Sequence, residues 1–420
     1  WLPKGASVAV ARDPYRSSRA IKRVLVSSLM AAGIKVFNLT VTPTPVLRYY
    51  VKEKGFSCGV MVETPVTNPS VVKVKVFGRD GIEIDEKAEK EIERRFHREE
   101  YRRVFSGDVG YIEYPTGYNE LYVEHLLKHV KASAIARVRP KIVVDCGGGA
   151  ASFIAPALLK RLGVDVVLLN AVADENAEAG GVVEMPREIE VVSAVAKAVK
   201  ADLAVIFDED ADRVVFLDEK GDVVSSDSML ALLTCLVLER SEGGLVVAPA
   251  TASRIVDLVA ERLGGRVVRV KPGAKYVLHE VKRRNAVFGG EERGAYAFPE
   301  FQIGFDGIYA LVKLLEYLCE RSVGLSELAS RLPKAYMFRE SVRIPFKARG
   351  KVLRRLLEEL REREIDTLDG IKVVEPTGWI LVRPRPHEPL LDLYVESDRR
   401  EEAALMLRRY VSLLNRLASS

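Results

Sequence analysis

Glutamine is almost missing from this chain. Gln302 is the only one, and asparagine is scarce beside abundant Arg, Glu and Val. That bias matches the thermophile pattern of few thermolabile amides and many ion-pairing side chains. Cysteine is sparse too. Cys58, Cys146, Cys235 and Cys319 lie far apart in apolar contexts, with no C-x-x-C pair. This excludes a disulfide framework and a zinc ribbon, and reads as buried free thiols in a reducing cytoplasm. Long apolar runs are absent: "MLALLTCLVL" is far short of a bilayer span, so no membrane role is expected. No signal-peptide pattern opens the chain, although a start at Trp1 rather than Met leaves room for a longer native N-terminus. The net charge of +5 is diluted over 420 residues, without the clustered basic face and aromatic platforms that nucleic acid requires. "REEYRR" and "RRLLEELRERE" mix both signs, as solvated helix faces do.

What is present is an ordinary globular composition on a chain too long for one core. Short β-branched runs alternate with helical patterns, which predicts α/β layers with mainly parallel sheets. "SVAVARD" is a strand. "SSRAIKRVLVSSLMAAG" follows as a helix with a Ser cap and a Gly stop, then the strands "IKVFNL" and "CGVMV". "ASAIARVRP" reads as a linker. The same grammar restarts at "PKIVVDCGGGA" and again at "GGLVVAPATAS"; after "PKAYMFRE" it gives way to strands among charged amphipathic helices. The expected units are 1–135, 136–240, 241–336 and 337–420, three α/β and one smaller α+β.

Five loops are candidates for chemistry. "ADLAVIFDEDADRVVFLD" delivers Asp208, Asp210 and Asp212 from an apolar strand. Three carboxylates so close repel unless a cation separates them, and oxygen-only ligands suit Mg²⁺ or Ca²⁺. An EF-hand is excluded, despite Glu219 at its twelfth position, because Arg213 replaces the sixth-position Gly and "VVFL" continues as a strand. "DCGGGA" joins a strand to a helix but lacks the G-x-G-x-x-G spacing, so it reads as a tight βα turn or an anion site at a helix N-terminus. "FGGEERGAYAF" presents Glu291 and Glu292 either to sugar hydroxyls or to solvent. "GWILVRPRPHEPLLDLYVES" sets Arg383, Arg385 and His387 on a Pro-rich loop, suited to phosphate or carboxylate or else a rigid surface turn. "GVMVETPVTNPSVVKVKVF", residues 59 to 77, is strand, hydroxyl-bearing loop and strand.

Taken in order, and with "ARDPYRSS" and "TPTPVLRY" near the start, these loops resemble the α-D-phosphohexomutase family: the phosphomannomutases, phosphoglucomutases and phosphoglucosamine mutases. The resemblance covers essentially the whole chain, except that the family's N-terminal G-T-S-G-I-R-G strand has no counterpart. It implies a four-domain architecture, three related α/β/α domains plus a smaller C-terminal α+β domain. The domains bring a phosphoserine, a Mg²⁺, a sugar loop and a phosphate loop to one cleft. By this resemblance Asp208, Asp210 and Asp212 hold Mg²⁺, Glu291 and Arg293 meet the sugar, and Arg383, Arg385 and His387 meet its phosphate. Arg12 and Arg213 line the cleft.

The departures are specific. The family's T-A-S-H-N-P becomes "TPVTNP", with Val66 in the serine's place when the Asn-Pro is matched, or Pro65 without a gap. Neither accepts a phosphoryl group. D-G-D-A-D-R is kept with Glu209 for Gly; G-E-E-S-G-H loses its Ser and His to Arg293 and Ala295; Pro386 removes an N–H from the phosphate loop. Two readings follow. One is Mg²⁺-dependent phosphoryl transfer on a hexose or hexosamine phosphate, with Thr64 or Thr67 recruited as nucleophile. The other, which the lost serine favours, is a silent paralogue that binds sugar phosphate or partners an active mutase. A cytoplasmic protein, alone, as a homodimer or with that mutase, is the expectation.

Overall fold

The computed structural model describes residues 1–65, 70–175, 186–385 and 388–419. Val66, Thr67 and His387 therefore lie outside the described residues. The strands form four five-stranded sheets.

In space the first sheet runs Lys73–Phe77, Cys58–Glu63, Ser7–Arg12, Lys35–Val41, Ile112–Glu113. The first of these is an antiparallel edge and the rest pair in parallel. Cys58–Glu63 is buried along its whole length, as a strand covered on both faces must be. The second sheet repeats the order with Val223–Val224, Val214–Leu217, Leu203–Phe207, Lys141–Asp145 and Asp165–Leu169. The third does so with Gln302–Phe305, Ala295–Phe298, Phe288–Glu291, Gly244–Pro249 and Gly265–Val270. Each time a buried parallel strand turns through its loop into an antiparallel neighbour. The expected mainly parallel sheets are thus mixed, and the antiparallel partner is what folds each loop back on itself.

The fourth sheet, Tyr336–Arg343, Leu390–Ser397, Gly378–Pro384, Ile371–Glu375 and Ile365–Asp366, is wholly antiparallel. Helices Phe346–Glu359 and Arg400–Ser419 bury Val352, Leu356, Tyr410 and Leu414 in its own core. Among the described residues no helix is long and apolar enough to cross a membrane.

Two local expectations fail for physical reasons. Helix Arg16–Ala31 has Tyr15, not a serine, at its N-cap, with no side-chain cap. Ser17 and Ser18 instead direct their hydroxyls to Thr64, and Ser18 also bonds Asp13. The presumed linker is helix Ala132–Val138, folded because Ala134 and Ile135 are buried. Cys58, Cys146 and Cys319 are buried free thiols, while Cys235 is only half-buried.

One core runs through the first three domains, from Val46 and Tyr49 through Phe216 to Tyr309 and Leu328. The lone glutamine belongs to this junction. Gln302 is buried and donates to Asp306 Oδ2 (2.7 Å) and to Pro45 O (3.3 Å) of the first domain. Tyr49, Phe301 and Tyr309 stack beside it at 5.0 and 4.7 Å between ring centroids. The fourth domain docks through Glu396, fully buried, which accepts from Ser253 Oγ (2.6 Å), Arg254 N (3.0 Å) and Trp379 Nε1 (2.7 Å).

The Gly-rich turn has a packing role. A Cβ on Gly149 would stand 2.7 Å from Glu209 O and 2.9 Å from its Cα, and Ala150 N donates to the same carbonyl at 2.8 Å. The turn is therefore the floor on which the triple-aspartate loop rests. Gly149→Ala is expected to cost about 1–3 kcal/mol through overpacking. Glu396→Ala, which strands three donors, is expected to cost about 1–3 kcal/mol. Denaturant midpoints for each variant check both values.

Candidate functional site

Strand Cys58–Glu63 is apolar until its last residue, and that residue, Glu63, is buried. Thr64 follows at 3 % exposure. Its N–H donates to Asp13 Oδ2 (2.5 Å), and its hydroxyl lies 2.7 Å from Ser17 Oγ and 2.9 Å from Ser18 Oγ. Burial pushes the Asp13 carboxyl up to about 7, against the hydrogen bonds from Thr64 and Ser18. Thr64 is thus held inside its own domain by hydroxyl partners. Arg12, half-buried at the end of the neighbouring strand, donates to Asp13 O (2.6 Å) and Pro14 O (2.9 Å).

The acidic loop is shaped by its own backbone. Asp208 Oδ1 accepts from Arg213 N (3.0 Å), Asp210 Oδ1 from Asp212 N (3.3 Å), and Ala211 sits in the left-handed region at φ 59°. All three aspartates are buried. Asp210 and Asp212 meet the first domain. Asp210 Oδ2 accepts from Thr44 Oγ1 (2.7 Å), and Asp212 Oδ2 pairs with Arg48 (3.1 Å), itself 1 % exposed.

Between the two domains stands an ammonium group. Lys75 Nζ lies 2.6 Å from Glu63 Oε2, 3.1 Å from Asp210 Oδ2 and 3.5 Å from Asp212 Oδ2. Burial works to deprotonate Lys75, but Asp210, Glu63 and Asp212 outweigh it and raise its pKa well above the ordinary lysine value. Burial also opposes ionisation of Asp210, yet Lys75 and the Thr44 hydroxyl hold it below the usual carboxylate range. Asp208 is pushed well up by burial and by Asp210, against the pull of Arg213.

The third loop abuts the second. Val214 N donates to Gly294 O (2.9 Å), and a Cβ on Gly294, at φ +80°, would fall 2.6 Å from Val214 O. Arg213 pairs with Glu291 (3.5 Å), whose other oxygen accepts from Gly273 N (2.7 Å). Burial raises Glu291 against the pull of Arg213. Arg293, at the loop's tip, is exposed.

The fourth loop is occupied with itself. Arg383 pairs with Asp369. Arg385 Nε bonds both oxygens of Asp392 (2.9 and 2.8 Å), and its other nitrogens reach Glu388 (3.1 Å) and Ser341 (3.1 Å). Arg349 clamps the backbone of the same loop at Arg385 O (2.8 Å).

Asp208, Asp210, Asp212, Arg213 and Glu291 therefore come together, whereas Arg383 and Arg385 are spent within their own domain. Sequence reasoning missed Glu63, Lys75, Arg48 and Thr44. The available signal was a charged residue closing an otherwise apolar strand, and a lysine alternating with valines in "KVKVF".

Three family models match in tandem: phosphoglucomutase/phosphomannomutase alpha/beta/alpha domain I over residues 1–103, domain II over 120–221 and domain III over 225–336. The "Probable phosphoglucosamine mutase" of Methanopyrus kandleri is 32% identical over 98% of this chain and 91% of its own length. A phosphoglucomutase/phosphomannomutase of Thermococcus kodakarensis is 31% identical over 97% and 89%. Among solved structures, a phosphoglucomutase/phosphomannomutase family protein of Burkholderia thailandensis superposes with a TM-score of 0.84 at 26% identity, covering 98% of this chain and 90% of that one. Three tandem domain matches in the expected order, full-length relatives above the 30% level and a fold that superposes throughout leave one assignment. The chain belongs to the α-D-phosphohexomutase family.

Proposed function

We infer that this chain binds a hexose or hexosamine phosphate without carrying the serine-borne phosphoryl relay of its relatives. The observation behind this reading is the state of Thr64. In the ungapped register Pro65 takes the serine's place, so Thr64 is the nearest described hydroxyl. It is buried, and both its partners are hydroxyls of its own domain. A nucleophile needs a base in contact and an open approach for the phosphoryl group. Asp13 bonds the Thr64 backbone and Ser18, and among the described residues no base hydrogen-bonds the Thr64 hydroxyl.

Binding is supported by Arg293. Among the described residues it has no hydrogen-bond or ion-pair partner, and it stands on the sugar loop beside buried Glu291 and Glu292. An exposed guanidinium held by a rigid hairpin suits a phosphate dianion. It takes over from Arg383 and Arg385, whose charges are already matched by Asp369, Asp392 and Glu388.

Incubation with glucose 1,6-bisphosphate followed by intact-mass measurement is expected to show no covalent phosphoryl gain. A stable gain on Thr64 or Thr67 would overturn the relay-free reading. Titration calorimetry with glucosamine 6-phosphate is expected to show binding that Arg293→Ala weakens about 10–100-fold, the range for a charged hydrogen bond worth about 1.5–3 kcal/mol. No heat with any hexose or hexosamine phosphate contradicts the binding role.

A further inference from the structure

The triple-aspartate loop is where the family places its divalent cation, and the residues present do not fit one. Magnesium binds through one or two open carboxylates and completes an octahedron of oxygens at about 2.0–2.1 Å with water. Among the described residues no group of three or more Asp, Glu, His or Cys is placed to hold a metal ion. The oxygens that face the domain junction are already taken by protein donors. Asp210 Oδ2 has Lys75 at 3.1 Å and the Thr44 hydroxyl at 2.7 Å; Asp212 Oδ2 has Arg48 at 3.1 Å and Lys75 at 3.5 Å. Asp208 Oδ1 is turned back to Arg213 N at 3.0 Å. Asp212 Oδ1 is buried without a hydrogen-bond partner, but its carboxylate already carries Arg48 and Lys75 on the other oxygen.

We propose that Lys75 is the resident cation of this cleft, so that the chain closes its acidic loop without the divalent ion of its family. The ammonium takes three carboxylates from a strand and a loop: Glu63 from the first domain, Asp210 and Asp212 from the second. Arg48 adds a second buried positive charge, anchored to Phe305 O (3.1 Å) of the third domain and lying over the Phe77 ring at 4.9 Å. Two fixed cations therefore face three carboxylates. A dication on the same oxygens would repel both at short range, in a site where solvent screens little. The built-in charge is covalently part of the chain and cannot be lost to a chelator. This inference rests on family membership and on the Lys75 contacts, and it stands or falls separately from sugar-phosphate binding.

The wild-type protein and Lys75→Ala are compared by thermal unfolding in EDTA and in millimolar Mg²⁺, and by Mn²⁺ paramagnetic resonance. The wild-type Tm is expected to be the same in EDTA and Mg²⁺, with Mn²⁺ remaining free. Lys75→Ala is expected to unfold at lower temperature, to regain stability with Mg²⁺, and to bind Mn²⁺ about tenfold or more tighter than wild type. One Mn²⁺ held per wild-type chain, or a wild-type Tm that falls in EDTA, overturns the proposal, and this readout stands even where the variant fails to fold. A folded Lys75→Ala that binds Mn²⁺ no better than wild type also overturns it.

Discussion

A buried ammonium among three carboxylates organises the centre of this molecule. Taking Lys75 out of water is expensive, and the expense is matched only because Glu63, Asp210 and Asp212 all reach it. The carboxylates have the same dependence in reverse. Without Lys75 and Arg48 they would sit buried and uncompensated at the seam between two domains, so the seam and the charge cluster form together. Arg48 extends the arrangement to a third domain through Phe305 O. The position of the acidic loop, the packing of Gly149 beneath it and the reach of Thr44 into it all presuppose this balance of charge.

The architecture explains how such a cluster can arise. Each of the first three sheets ends a buried parallel strand in a loop that returns as an antiparallel neighbour, and in the first sheet that neighbour is the edge. Edge strands carry one face toward the neighbouring domain, and Lys75 occupies that face of its edge. A single long side chain there can cross the seam and meet another domain's loop. The third domain uses the same geometry differently: Arg213, just before the second domain's return strand, reaches Glu291. The fourth domain, with a separate core, turns Arg383 and Arg385 inward on Asp369 and Asp392, which leaves Arg293 of the third as the open cation among the described residues of the named loops.

Much of this was legible in the sequence, and the parts that were not share a cause. β-branched runs located the central strands, the triple aspartate marked its loop, and the ordered loops carried the family. Periodicity misled where tertiary contacts override it. "KVKVF" invites burial of its valines, yet Lys75 and Phe77 face inward while Val74 is exposed. The charge partners that reverse the strand's facing lie far away along the chain, at Asp210 and Asp212. "ASAIARVRP" looks like a linker because its two buried anchors, Ala134 and Ile135, form too short a pattern to register as a helix. The serines of "ARDPYRSS" look like caps because nothing local announces Thr64 as their partner. Glycines at 147 to 149 suggested an anion site or a turn, and only the approach of Glu209 distinguishes the two.

The most direct test of the charge balance is crystallographic. Crystals grown with MnCl₂ and measured at the manganese absorption edge report metal and lysine in one map. The account predicts no anomalous peak within the acidic loop, and Lys75 Nζ in contact with Glu63, Asp210 and Asp212. A full-occupancy peak on those aspartates, with the lysine swung away, would contradict it.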